Sequence, residues 1–321
     1  TAGERAWNNT CQGKVHFALD RIYIKAGGGT SDVRRRLSPE RDINVREKRD
    51  GLDGLVLWQA SEETSFALIY GWARYDYGDA EYMGIALAEM LNREEHRFDL
   101  VAYVQPSSRT RLYLDGQYGT YSFTAETAGL RDARSYGIFS GVEFVPRTGE
   151  IARGMGLSGG FRLGYQLLNI VDPGLEDGSG FVGEADILVD LSRRTSVHIM
   201  FSRGFDFSVY SGSTYYMATT LGGGLAYRLS RRATLSYNLL FGRNSYAEDT
   251  AVGDLENRYV AHTFGMSFRL ARLLEMTFLG TLGTRTLDEE GLSHRRNFFG
   301  ISLTYGHRMG VISTPMAGMA R

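Results

Sequence analysis

Residues 195–209 read TSVHIMFSRGFDFSV. Val197, Ile199, Phe201, Phe205, Phe207 and Val209 alternate with Ser196, His198, Met200, Ser202, Gly204, Asp206 and Ser208, which is the two-residue period of a β-strand with one apolar face. The next stretches repeat the pattern. Tyr215, Met217, Leu221, Leu225, Tyr227 and Leu229 oppose Ala218, Thr220, Gly222, Gly224 and Arg228. Leu235, Tyr237, Leu239 and Phe241 oppose Thr234, Ser236, Asn238, Gly242 and Asn244, and Val260, Phe264, Met266, Phe268 and Leu270 oppose Thr263, Gly265, Ser267 and Arg269.

A soluble sandwich also alternates, so strand length and turn pattern decide between the two. These segments run about 12–16 residues, whereas soluble strands usually have about five or six. Working outward, the alternation predicts about fourteen strands, at 14–26, 50–60, 63–76, 96–105, 109–123, 134–145, 153–170, 179–191, 194–209, 213–229, 232–246, 257–270, 273–286 and 294–307. Tight connections at Ser61-Glu62, Pro106-Ser107-Ser108, Ser192-Arg193, Ser230-Arg231 and Ala271-Arg272, with Pro146 to Ala152 slightly longer, alternate with longer ones at 27–49, 77–95, 124–133, 171–178, 247–256 and 287–293. The link around Ser211-Gly212 is shorter than this scheme asks for. Short turns at one end and long loops at the other mark a transmembrane barrel, and an even count leaves both termini on the turn side.

The expected fold is therefore all-β: a closed antiparallel transmembrane β-barrel of about 14 strands, or 16 to 18 if the long N-terminal loop conceals a hairpin. It forms one domain over 1–321, with 1–13 as an N-terminal periplasmic segment and 308–321 as a C-terminal tail. Pairing of 14–26 with 294–307 would close the ring. Lipid supplies no hydrogen-bond partners, so every strand edge must be satisfied laterally.

Composition agrees. The 321 residues include 40 glycines, 19 tyrosines and 17 phenylalanines against five prolines, which favours strands and close backbone packing. A net charge of −1 leaves no positive excess for a phosphate backbone, so nucleic acid is not an expected partner. Cys11 is the single cysteine, which excludes an internal disulfide framework and multi-cysteine metal sites. No apolar run reaches the roughly 18 residues of a membrane helix. Thr1 opens the chain without an initiator methionine or apolar export segment, as expected after removal of a signal peptide.

In this register Gly137, Gly141, Gly160, Gly164, Gly222, Gly224 and Gly265 face the lumen, and Trp58, Phe144, Tyr227, Phe268 and Tyr305 form the aromatic girdle at the turn end. Inward charges include Arg97, Asp99, Arg111, Asp115, Glu143, Asp206, Glu275 and Arg296. Arg162, Glu184, Asp186, Asp190, Arg228, Arg269 and Arg285 are singled out as the residues that line the path and set what enters it. Tyr103, Tyr113, Tyr121, Phe139, Tyr216 and Phe298 offer inward aromatic faces. His16, His96, His198, His262, His294 and His307 are scattered without metal-ligand spacing, and no nucleophile–histidine constellation, phosphate loop or dinucleotide fingerprint stands out, so neither catalysis nor a cofactor is expected. Segment 31–49, rich in arginine, reads as a solvated loop able to meet anionic lipopolysaccharide. Met83 to Leu91 reads as a short helix that caps or constricts the barrel.

Ser192 to Tyr305 resembles a family of outer-membrane β-barrel porins often encoded among exopolysaccharide-export genes. The likeness rests on recurring hairpins: Ala226 to Ser230 and Ser267 to Ala271 end strands, Ala233 to Tyr237 and Leu274 to Phe278 begin the next, and Ser208 to Tyr216 fits the same pattern. The resemblance implies a Gram-negative outer-membrane barrel that passes secreted polysaccharide and works with periplasmic or envelope-complex proteins. A passive diffusion porin and a structural barrel that encloses a larger machine are the alternatives.

Overall fold

The computed structural model describes residues 8–36, 44–78, 81–82, 85–125, 131–144, 156–208, 213–246, 256–287 and 292–305. Its elements are β1 (Asn9–Ala18), β2 (Ile22–Arg36), β3 (Asn44–Gln59), β4 (Thr64–Tyr77), β5 (Glu81–Tyr82), β6 (Ile85–Ala86), α1 (Leu87–Leu91), β7 (Arg93–Ser107), β8 (Thr110–Phe123), β9 (Ala133–Phe144), β10 (Gly156–Ile170), β11 (Gly178–Asp190), β12 (Thr195–Phe207), β13 (Tyr215–Arg228), β14 (Ala233–Tyr246), β15 (Glu256–Ala271), β16 (Leu274–Leu287) and β17 (Leu292–Tyr305). All the long strands form one 15-stranded meander in chain order, and β5 with β6 makes a separate two-residue ribbon.

Every neighbouring pair is antiparallel, so tight turns and long connections fall at opposite ends of the sheet. The alternating stretches form strands because one face of each can stay apolar throughout. Leu52, Leu100, Leu114, Ile138, Leu163, Leu221 and Phe264 are each more than half exposed, and all lie on the same outer face. The opposite face carries Asp99, Asp115, Ser135 and Thr263, all buried. The expected girdle residues Trp58, Phe144, Tyr227, Phe268 and Tyr305 all lie at the turn ends of their strands. Trp58 stacks on Phe66 there, with ring centroids 5.8 Å apart.

Two glycines carry particular geometry. Gly159 has φ of +100°, and a Cβ there would fall 1.9 Å from the Asp186 carbonyl oxygen, so the bend near the turn end of β10 admits no side chain. At Gly164 a Cβ would meet the Ile138 carbonyl oxygen at 2.3 Å and the Phe139 ring at 2.5 Å; its absence lets that ring lie across β10.

The N-terminal third departs from the expected strand map. The alternation of 14–26 hides a turn, with the Leu19 N–H donating to the Ile22 carbonyl at 2.8 Å. Residues 27–36 and 44–49, expected in a loop, belong to β2 and β3, paired from Ile22↔Trp58 to Arg36↔Asn44. The turn after Ala18 splits the expected first strand into β1 and β2 and raises the count from 14 to 15, and β1 begins at Asn9, inside the segment expected to precede the sheet. No ladder joins β1 to β17 among the described residues, so the expected contact of 14–26 with 294–307 is not formed. In an antiparallel meander of 15 strands the first and last run in the same direction, so the antiparallel closing pair expected from an even count is not available to them. β1 thus starts at the loop end while β17 finishes at the turn end, in place of the shared turn-side termini expected from an even count. The turn at Pro146 to Ala152, the Ser211-Gly212 link, His307 and the 308–321 tail lie outside the described residues, as do Met83, most of 247–256 and most of 287–293.

Candidate pore lining

The inner face divides into a charged wall along the middle strands and an aromatic seam at the loop end. In the wall, register places Arg162 of β10 opposite Glu184 of β11 and Gly141 of β9. Its guanidinium lies 3.3 Å from Glu184, 3.8 Å from Asp115 two strands away on β8, and 4.9 Å above the Phe139 ring. Between them the Tyr113 ring lies over Gly141, where a Cβ would meet it at 2.4 Å. Beside it Arg97 pairs with Asp99 at 3.0 Å, and the Gln117 amide donates to Asp99 at 2.9 Å. Arg111 donates its Nε–H to Glu143 at 2.8 Å and lies 4.5 Å over the Tyr103 ring. On the far side Asp186 meets His198 at 3.0 Å.

The wall is thus a chain of opposite charges held next to one another, so its net field on a solute is small while its hydrogen-bonding capacity remains. One acceptor is left over: Asp115 Oδ1 is buried and has no hydrogen-bond partner among the described residues.

The seam joins strands that are not neighbours. Phe207, at the loop end of β12, packs edge-on against Phe123 at 4.9 Å and Tyr121 at 5.1 Å, both on β8. Three strands separate β8 from β12 in the sheet, so these contacts cross its inner face. Arg93 of β7 sits 4.6 Å over Tyr75 and 5.4 Å over Phe207, and pairs with Glu95 at 2.7 Å. Asp206 is bonded by the Tyr216 hydroxyl at 3.1 Å, and Tyr216 is fully buried. Arg131 donates to the Met90 carbonyl at 3.3 Å and to the Ser213 carbonyl at 2.9 Å, tying α1 to the connection before β13. Leu87 and Leu91 of α1 pack with Val45 and Tyr77, whose faces are inward, so the short helix expected in this segment lies inside the loop end.

The seven residues expected to line the path do not form one cluster. Arg162 and Glu184 meet, and Asp186 is on the adjoining stretch of β11. Asp190 lies opposite Gly156 and Ser196 near the turn end. Arg228 donates to the Arg193 carbonyl at 3.3 Å, and Arg269 stands opposite Glu275 beside a register shift, both at the turn end. Arg285 donates to Asn257 at 3.0 Å, near the loop end of β15 and β16.

Sequence reading missed the seam. By alternation alone Arg93 and Glu95 fall in the expected loop 77–95 and Phe207 on the apolar face of its strand. The signal for the first two was present, because Arg93, Glu95, Arg97 and Asp99 continue one charged face at strand period. Histidine chemistry is dispersed: His96 and His262 lie on the outer face, each 2.9 Å from a tyrosine hydroxyl, Tyr70 and Tyr237. Among the described residues no group of three or more potential ligands could hold a metal, and no helix is long and apolar enough to cross a membrane.

A model of the family described as "Putative beta-barrel porin 2" matches residues 54–306, from the end of β3 through β17. The chain belongs to this porin family. Among solved structures the porin-family chain is similar to "Copper transporter OprC", with 13% identity and a TM-score of 0.51, over 94% of this chain and 58% of that one. The siderophore receptor PirA from Acinetobacter baumannii matches at 12% identity and TM-score 0.45, over 93% and 55% of the two chains. The ferric yersiniabactin uptake receptor FyuA from Yersinia pestis matches at 11% and 0.47, over 92% and 56%. At such identities the likeness to OprC shows the fold alone, and the chain spans little more than half the length of these proteins. No curated protein sequence matches it.

Proposed function

We propose that the sheet is the wall of an outer-membrane channel in a Gram-negative bacterium, and that its solute is secreted polysaccharide. The observation that carries this reading is the division of the two faces: an apolar outer surface of Leu, Ile and Phe against an inner surface of paired charges and aromatic rings. An apolar face of that extent in water would be an aggregation site, and lipid is its natural solvent. Above that belt, near the loop end, Arg46 and Lys48 of β3 lie on the outer face and are more than half exposed, as contact with lipopolysaccharide phosphates requires.

The inner face fits a neutral, hydroxyl-rich solute better than a free ion. Arg97, Arg111 and Arg162 are each engaged by a carboxylate, and Tyr103 and Tyr113 present rings whose centroids lie 5.8 Å apart. Such a wall holds and passes sugars without a nucleophile or metal, so the protein acts in transport rather than catalysis, in concert with periplasmic export proteins. Deleting the gene and measuring surface polysaccharide tests this: secretion should fall, and wild-type secretion in the deletion strain would refute the polysaccharide assignment. The cross-lumen seam favours a second reading, a narrowed barrel that opens only within a larger envelope assembly. Single-channel conductance of the purified protein separates the two, with steady open current supporting the first.

A further inference from the structure

The outer face of β12 to β15 changes character within one rung of the ladder. Phe201, Leu221, Phe241 and Val260 are successive register partners across these four strands and form one apolar row, in which Leu221 and Phe241 are about half exposed. Two residues nearer the loop end, the next outward row reads Arg203, Thr219, Arg243 and Arg258, and Thr286 of β16 continues it. All three arginines are exposed. Arg243 and Arg258 stand directly opposite each other, and like charges so placed repel unless an anion lies against both. By register the acidic position nearest to them is Glu256, opposite Ser245 and one rung nearer the loops. Among the described residues of this face, one carboxylate therefore stands against three guanidinium groups.

Arg203 is held in place by uncharged partners. Its Nε–H donates to the Phe181 carbonyl at 3.0 Å and its Nη1–H to the Thr219 hydroxyl at 2.7 Å. The cation is thus oriented without being neutralised, and its Nη2 edge makes no bond among the described residues. Thr219, as an acceptor, keeps its own proton to donate.

Other sectors of the outer face are built differently. At the loop ends of β2 to β7 the cations are matched one for one, Arg46 with Asp32 at 2.5 Å, Lys48 with Asp50 at 3.7 Å and Arg74 with Glu94 at 3.8 Å. Arg134 of β9 is the lone charge at its level, between Thr120 and Asn169. Only β12 to β15 combine several cations in one row with an unbroken apolar row beneath them, among the described residues.

We propose that this sector is a binding site for one glycolipid of the lipid A class, which carries two phosphates on a stiff sugar headgroup. This rests on the channel reading above, which puts the loop end in the outer leaflet. Strands lie about 4.8 Å apart, so the row from Arg203 to Arg258 spreads over about 14 Å, too wide for a single phosphate to touch both ends. One phosphate bridges Arg243 and Arg258 and relieves the repulsion between them. The second takes the Nη2 edge of Arg203 and the Thr219 hydroxyl. Hydrogen bonds from guanidinium to phosphate are charge-assisted and two-pronged, which favours this anion over a carboxylate. Acyl chains then descend over Phe201, Leu221, Phe241 and Val260, so both halves of the lipid are met by adjacent rows of one surface.

The test titrates the purified full-length protein, folded in detergent, with fluorescent lipid A bearing two phosphates, with its monophosphoryl form and with phosphatidylglycerol. One bisphosphoryl lipid should bind per chain, at least about tenfold tighter than either of the others, as expected when charge-assisted hydrogen bonds are lost. Arg203→Gln with Arg243→Gln and Arg258→Gln should remove that preference, while Arg74→Gln with Arg134→Gln on the same outer face should leave it. Equal affinity for the monophosphoryl lipid or phosphatidylglycerol overturns the proposal in favour of general attraction to anionic lipid. Displacement by inorganic phosphate overturns it in favour of a small-anion site. Unchanged binding in the triple variant, or an equal loss in the Arg74 and Arg134 variant, overturns the assignment to this sector. If the triple variant loses its heat-resistant folded mobility, the three single substitutions decide, and no loss of affinity from any of them overturns the proposal. Loss of lipid preference in a protein that stays in the membrane refutes the site alone, whereas a protein that leaves the membrane without detergent refutes the channel reading.

Discussion

The loop end and the middle of the inner face solve the same problem, how to place polar and aromatic side chains inside a curved sheet, in opposite ways. Away from the loop end, Arg97 and Arg162, with Arg111 nearer the turn end, turn sideways to carboxylates on their own or nearby strands, and the wall stays flat against itself. At the loop end, Phe207 reaches past three strands to Phe123 and Tyr121, and Arg93 fills the space between Tyr75 and Phe207. The difference is one of reach and polarity: rings and a buried arginine exclude water where they meet, while half-exposed ion pairs need water beside them. On the proposed channel reading, selection of a solute falls to the ion-paired wall, and restriction of access to the loop end.

The largest effect should come from breaking the seam. Phe207→Ala removes a buried ring shared by two strands, which costs about 3–5 kcal/mol in cores of this kind. Folded protein recovered in lipid should also conduct more than wild type; an unchanged current with the expected loss of stability would show that the seam does not limit the path. Next in size is the outer face. Leu221→Arg sets a charge against hydrocarbon and should cost about 2–4 kcal/mol in urea unfolding from vesicles, and a null effect there would move Leu221 out of the bilayer.

The middle of the wall should respond in selectivity more than in stability. Arg162→Gln frees Asp115 and Glu184, which should shift the reversal potential in a salt gradient toward cation preference. The pair with Glu184 is partly exposed and should contribute within about 1 kcal/mol, so any larger loss of stability reports the buried Asp115 left without its cation. Smallest is the joint neutralisation of Arg228 and Arg269 to Gln at the turn end. A modest selectivity change with unaltered heat-resistant gel mobility is expected, whereas lost mobility without a selectivity change would make these two residues structural.

How far the sequence discloses this molecule depends on how well local period survives tertiary demands. From Thr64 to Tyr305 the observed strands fall close to those the alternation predicts, because a one-residue slip would send a whole face into the wrong solvent. Arg162 opposite Glu184 is a product of that register. The failure at 14–26 has a visible cause. The apolar set runs on odd positions, Val15, Phe17 and Leu19, then on even ones, Ile22, Ile24 and Ala26; that phase change is the turn. Gly27, Gly28 and Gly29 look like a loop, yet a Cβ at Gly27 would stand 2.6 Å from Asp53 Oδ1 and one at Gly29 2.6 Å from the Cys11 carbonyl oxygen. They are where close neighbours need room in a strand. The seam was illegible for a different reason: contact between β8 and β12 depends on how tightly the sheet curls, which no single strand's pattern encodes.

The central claim is that each strand has one face in lipid and one in a wet lumen, and β15 tests it most directly. Single cysteines introduced from Thr263 to Leu270 in a Cys11→Ser background, in protein reconstituted into vesicles, can be probed with a water-soluble, membrane-impermeant maleimide. Positions 263, 265, 267 and 269 should be labelled, and 264, 266, 268 and 270 should be protected until the bilayer is dissolved. Equal labelling of both sets, or protection that does not alternate, would contradict the account.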